Sequence, residues 1–161
     1  MRCIIDANIL IDLSRGDLLT WLFALPLQFA VPDGVLDELV EPDRERLQQM
    51  GLRRVGLSTE QLLEAAHLSA EQRRLSLGDC TALIAARDAQ AVLLTGDAGL
   101  RALAQDHGVV VHGVLWVLDE LEAAGLLNGS ALAVCLRRML AGGARLPADE
   151  CSARLKRWEH S

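Results

Sequence analysis

Four acidic side chains lie where a chain of this pattern can bring carboxylates together: Asp6, Glu38, Asp79 and Asp97. Asp6 closes the apolar run Cys3-Ile4-Ile5, and Asp97 follows Val92-Leu93-Leu94-Thr95-Gly96. Asp79 comes after Gly78 at a helix start, and Glu38 sits in Val35-Leu36-Asp37-Glu38-Leu39, off the apolar face of a short helix. A carboxylate at the carboxyl end of a parallel strand faces the crevice in which open α/β sheets bind ligands. Acids gathered there from distant segments repel one another unless a divalent cation neutralises them. Asn8 and Thr95 add small polar groups beside two of these acids, placed to orient them by hydrogen bonds. Singly, each acid has an ordinary explanation: Asp6 and Asp97 as helix N-caps, Asp79 at the positive end of a helix dipole, Glu38 as a solvated side chain. The set argues for chemistry.

The elements that must position these acids alternate between strand and helix. Residues 2–5 read as a first strand, followed by a brief helix through Ile9 to Leu13. Asp17 can cap a helix through Trp21 to about Leu25, which Pro26 ends. Gln28 to Val31 predicts a second strand, and the helix after Pro32 stops before Pro42. Leu52 to Leu57 predicts a further strand, and Ser58-Thr59-Glu60-Gln61 opens a helix with a capping pattern. From Leu77 the punctuation is clearest: helix, strand over Ala91 to Thr95, helix from Asp97, strand over Val109 to Val111. Such βαβ order predicts a parallel sheet. The remainder reads as three helices, Val114 to about Ala124, Ser130 to about Leu140, and Pro147 toward Trp158. No repeat or linker interrupts the 161 residues, so one domain over 1–161 is expected, with 113–161 as a C-terminal helical extension packed on it.

Composition narrows the setting. Asp6 interrupts the amino terminus too early for a signal peptide, and no segment is long and apolar enough to span a bilayer, so a cytoplasmic location is expected. Cys3, Cys80, Cys135 and Cys151 are too scattered for a zinc site and read as reduced thiols. The net charge of −6 argues against a nucleic-acid partner only at first sight, because leaving out the four acids of the cluster reduces it to −2. Between Arg137 and Arg157 six cations face two acids, and Arg137, Arg138, Arg154 and Arg157 are candidate phosphate contacts. A solvated helical face explains the same run equally well.

The order of motifs resembles the PIN-domain family, metal-dependent ribonucleases that include the VapC-type toxins of bacterial toxin–antitoxin pairs. The resemblance runs from about Arg2 to Val117: Ile-Ile-Asp-Ala-Asn with Asp6 and Asn8, Leu-Asp-Glu-Leu with Glu38, Leu-Gly-Asp-Cys-Thr-Ala-Leu-Ile-Ala-Ala with Asp79, and Leu-Leu-Thr-Gly-Asp with Thr95 and Asp97. Many relatives carry serine or threonine at the position of Asn8, and the tail beyond Gly113 looks more like a longer PIN subgroup described as nucleic-acid-binding than like a compact toxin. The resemblance implies a three-layer α/β/α fold with a mainly parallel sheet and extra C-terminal helices. It also implies hydrolysis of RNA phosphodiesters, leaving a 3′-hydroxyl and a 5′-phosphate. Asp6 and Asp79 would bind the principal Mg²⁺ or Mn²⁺, and Asp97 and Glu38 would complete the site. Implied partners are an RNA substrate, an antitoxin protein and a second copy of the chain.

The main rival is a PIN-like module that binds RNA or protein with little or no cleavage. A phosphorylated receiver domain is a poorer fit, because the lone lysine, Lys156, falls in the last helix and not at a sheet end. The histidines at 67, 107, 112 and 160 share no ligand spacing and read as structural or surface residues, and Trp21, Trp116 and Trp158 read as core or interface. Leu115, Leu118, Leu121, Leu126, Leu132, Leu136 and Leu140 suggest surplus apolar surface on the C-terminal helices, hence a homodimer with the arginine-rich tails flanking two clefts.

Overall fold

The computed structural model describes residues 1–160 and contains a five-stranded, fully parallel sheet in the order β3-β2-β1-β4-β5. Its strands are β1 (Arg2–Ile5), β2 (Gln28–Pro32), β3 (Arg53–Val55), β4 (Val92–Leu94) and β5 (Val111–His112). In register, Ile4 lies opposite Ala30 on β2 and Leu93 on β4. Strand order runs outward in one direction from β1 through β2 and β3, and in the other through β4 and β5. The carboxyl ends of β1 and β4 therefore flank the point where the winding reverses, the place where open α/β sheets form their crevice.

Alternation along β1 sets the layers. Cys3 and Ile5 enter one core and Ile4 the other, as a period of two requires. The first core contains α1 (Ala7–Arg15), α2 (Leu19–Leu22), α3 (Asp33–Glu38) and α4 (Arg44–Met50), and also α8 (Val114–Ala123), α9 (Gly129–Ala141) and α10 (Ala148–Glu159). The second is closed by α5 (Thr59–Glu71), α6 (Leu77–Ala89) and α7 (Ala98–Asp106). Small side chains on α6, Ala82, Ala85 and Ala86, let it pack closely under the sheet, and the Glu64–Arg87 ion pair fastens α5 to it.

Three expectations need correction. Asp17 does not cap α2: it adopts a left-handed φ of 60° at the end of α1, where the Leu18 N–H donates to the Leu13 carbonyl, and α2 shrinks to one turn. The last strand lies at 111–112, one residue beyond its apolar run, because Val109 is taken up in the turn that closes α7 through its hydrogen bond to Ala104. The C-terminal leucines are not surplus. Leu115, Leu118, Leu121, Leu132 and Leu136 are buried in the first core, with Leu126 and Leu140 packed against it, so they offer no exposed face to a second copy. The expected unit of 1–161 extends to Ser161, which lies outside the described residues. No helix among the described residues is long and apolar enough to cross a membrane.

Candidate active site

Asp6 emerges at the carboxyl end of β1, its N–H extending the ladder by donating to the Leu94 carbonyl at 2.9 Å. It occupies the N-cap position of α1 but caps nothing with its side chain. Instead, the Thr95 hydroxyl donates to its Oδ2 at 3.0 Å, and the same hydroxyl accepts the Asp97 N–H at 3.2 Å. Residues 89 positions apart in sequence are thus joined across the switch point. Thr95 is completely buried and Asp6 only 7% exposed. Burial, and then the like charges of Asp79 and Asp97, raise the Asp6 carboxyl to about 6 against the opposing pull of the Thr95 hydrogen bond.

Asp79 is held by the sequence around it. Ser76 and Asp79 form a reciprocal capping box: the Ser76 N–H donates to Asp79 Oδ2 at 2.9 Å and the Asp79 N–H to Ser76 Oγ at 3.0 Å. Asp97 caps α7, accepting the Leu100 N–H at 2.8 Å. The ordinary explanations therefore hold for Asp97 as an N-cap and for Asp79 in the first turn of α6, but not for Asp6, and they restrain Asp79 and Asp97 at their helix starts. Glu38 ends α3 and is exposed. Beneath it, Arg54 on β3 binds Asp33 at 3.0 Å and Asp37 at 2.6 Å, tying α3 to the edge of the sheet.

Asp6, Asn8, Glu38 and Asp79 line one open cleft of about 580 Å³. Asp97 does not line it; it stands behind the Thr95 bridge, near enough for its charge to act on Asp6. Among the described residues none of the four acids has a cationic partner within ion-pair distance, and no three His, Cys, Asp or Glu are gathered closely enough to hold a metal ion as they stand. The donor set nonetheless suits a hard divalent cation. Every available group is an oxygen, and a buried carboxylate facing two like charges is the electrostatic arrangement that such a cation relieves.

Three residues of the cleft escape the sequence reading. Ser76 was signalled by the Ser-x-x-Asp capping spacing before an apolar run, whereas Arg15 and Glu41 reach the wall only through the tertiary packing of α1 and of the segment after α3. Arg137, Arg138, Arg154 and Arg157 lie on α9 and α10 and not in this cleft. Arg137 meets Glu159 at 2.7 Å, Arg138 meets Asp17 at 4.0 Å, Arg157 meets Glu122 at 2.9 Å, and Arg154 forks onto both oxygens of Asp119. Their surface is charge-balanced and not a bare basic strip.

A parallel sheet with an acidic cleft at its switch point defines a class of α/β domain, and comparison with known proteins gives the family. A family model, DUF3368, described as PIN domain, matches residues 2–160, and the chain belongs to the PIN-domain family. Its fold is similar to that of a PilT N-terminus domain protein from the hyperthermophilic archaeon Sulfolobus solfataricus P2, with a TM-score of 0.51, 13% identity, and coverage of 76% of this chain and 95% of that one. VapBC2 from Rickettsia felis, solved bound to a DNA fragment from its promoter, also matches, with a TM-score of 0.46, 15% identity, and coverage of 70% and 98%. No curated protein matches the sequence.

Proposed function

We propose that this PIN-domain protein is a metal-dependent endoribonuclease. The observation that carries the reading is the buried, cation-free Asp6, bridged by Thr95 to the Asp97 segment and facing Asp79 across one cleft. Asp6 and Asp79 would hold Mg²⁺ or Mn²⁺, with Asp97 and Glu38 completing the site. A cation bound there supplies activation of a water and neutralisation of phosphate charge. The chain's own contribution is positional. Thr95 fixes the Asp6 carboxylate, the Ser76 box fixes Asp79, and the α7 cap fixes Asp97, whereas Glu38 ends its short helix exposed and, among the described residues, without a side-chain hydrogen bond.

The reading includes an RNA substrate, an antitoxin and a second copy of the chain. Family membership and the motif order support these partners; the buried C-terminal leucines do not. Arg137, Arg138 and Arg157, each more than half exposed, would add long-range attraction for RNA, whereas Arg154, 17% exposed, is committed to Asp119.

The spread of the acids favours a second reading, a PIN-like module that binds RNA or protein without efficient cleavage. One assay separates the two. Structured and single-stranded RNAs are incubated with the wild type, Asp6→Asn and Asp79→Asn in Mg²⁺, Mn²⁺ or EDTA. The nuclease reading expects cleavage by the wild type alone and only with metal. Binding without cleavage in any metal selects the module, and cleavage retained by either variant removes the assigned site.

A further inference from the structure

A second cleft opens on the other side of α1. Asn8, Ile11 and Arg15 on that helix face the acidic cleft, whereas Ile9 and Asp12 face this one, of about 270 Å³. That is near the lower end of small-ligand pockets, roughly 300 Å³. Its wall includes Gly96, the neighbour of Asp97, so it opens beside the carboxyl end of β4, with α1 between it and the acidic cleft.

The chemistry here is of another kind. His112 and Trp116, both in the wall of this cleft, stack with ring centroids 4.4 Å apart and planes within 4°. Burial, and then the nearby Arg101, lower the His112 pKa, which keeps the imidazole neutral at this wall. Arg101 lies beside Gly113, its Nη2 at ordinary contact distance, 3.4 Å, from the position a Cβ there would take. Among the described residues Arg101 and Arg145 have no acidic partner. The cleft's own acids are mostly answered from within: Asp119 binds Arg154 at 2.6 Å, and Asp12 lies 3.7 Å from Arg15, while Glu150 is exposed. Two unanswered guanidinium groups beside a stacked aromatic pair can hold a planar base together with an anionic phosphate.

We infer that this cleft is a nucleotide-binding subsite, with the base against Trp116 and the phosphate between Arg101 and Arg145. The ligand is either a nucleotide of an RNA strand that also reaches the acidic cleft or a free mononucleotide. Only the first source rests on the nuclease reading.

The test is run in EDTA, so that binding is measured apart from cleavage. Adenosine monophosphate, adenosine, inorganic phosphate and a short single-stranded RNA are titrated by calorimetry into the wild type, Arg101→Gln, Arg145→Gln, Trp116→Leu and Asp6→Asn. Adenosine monophosphate should bind saturably and more tightly than adenosine or phosphate. Each arginine variant should weaken it about tenfold, by loss of a charged hydrogen bond. Trp116→Leu should weaken it roughly five- to hundredfold by loss of stacking, and Asp6→Asn should leave it unchanged. Parallel loss of RNA affinity identifies the strand as the source; RNA affinity retained while the mononucleotide is lost identifies the free nucleotide. Binding of adenosine monophosphate no tighter than of phosphate, or wild-type binding by both arginine variants, overturns the subsite. If Trp116→Leu melts early, the two surface arginines carry the test. Failure of the nuclease reading would show instead as absent cleavage in Mn²⁺ with this binding intact.

Discussion

Asp6 combines low exposure, a single hydroxyl donor and two like-charged neighbours, a costly arrangement in the metal-free protein. Its carboxyl is raised from 3.8 to about 6, so between those values the folded state holds more protons than the unfolded state. Stability of the metal-free protein from this group therefore rises as pH falls through that window and is lowest above about 6. Asp6→Asn, which keeps an acceptor for Thr95, should stabilise the metal-free protein by roughly 1–3 kcal/mol at pH 7 and flatten the pH dependence between 4 and 6. Urea unfolding in EDTA at several pH values checks this, and a destabilised Asn variant would refute it. Metal should reverse the order. Millimolar Mn²⁺ should raise the melting temperature of the wild type and not of Asp6→Asn or Asp79→Asn, an outcome read by thermal melting with and without EDTA.

At the scale of elements, positioning depends on how closely the helices approach. Gly16 ends α1 where a Cβ would lie 2.7 Å from Met139 Cγ and 3.2 Å from the Cys135 carbonyl of α9. Met139 can yield but the carbonyl cannot, so Gly16→Ala should push α1 off α9 and cost about 1–3 kcal/mol by overpacking, measured by urea denaturation. On the other side, Arg54 joins α3 to β3 through Asp33 and Asp37, and all three side chains are more than a third exposed. Arg54→Gln should therefore change stability by less than about 1 kcal/mol. Its effect should appear in activity, as a several-fold fall in RNA cleavage from a looser Glu38, which kinetic assays of the folded variant would detect.

Across the whole molecule, the C-terminal helices complete the core. Trp158 is buried on α10, its Nε1–H donating to Glu122 on α8 at 2.7 Å, and Leu132, Leu136 and Met139 on α9 are fully buried in the core that contains α1. Removing residues 129–161 would expose that core and leave Asp6 on an unsupported helix start. The truncated chain should fail to give a cooperative melt by circular dichroism; a normal melt would show that the tail is dispensable. The proposed second copy is checked by light scattering at micromolar concentration, which should give twice the chain mass; the mass of a single chain would remove it.

Much of this organisation was legible beforehand because it depends on local chemistry. The period-two β1, the apolar β4, the Ser58-Gln61 capping box and the Asp97 cap follow from side chains within a few residues of one another. The order of the acids, Asp6, Glu38, Asp79 and Asp97, could be read for the same reason, since strand ends and helix starts can be recognised one at a time. Tertiary structure alone decided what depends on distant partners. Residues 89 apart meet in the Thr95–Asp6 bond, and Asp97 falls behind that bond and outside the cleft. The arginines of α9 and α10 look free along the chain, yet they spend their charge on acids brought to them by α8, the α1–α2 turn and α10 itself. Leucine periodicity predicts a buried helical face but not what buries it. Here the core of the same chain does: α8 and α9 pack on α1 and on each other, and α10 packs on α9, so their apolar faces join the first core.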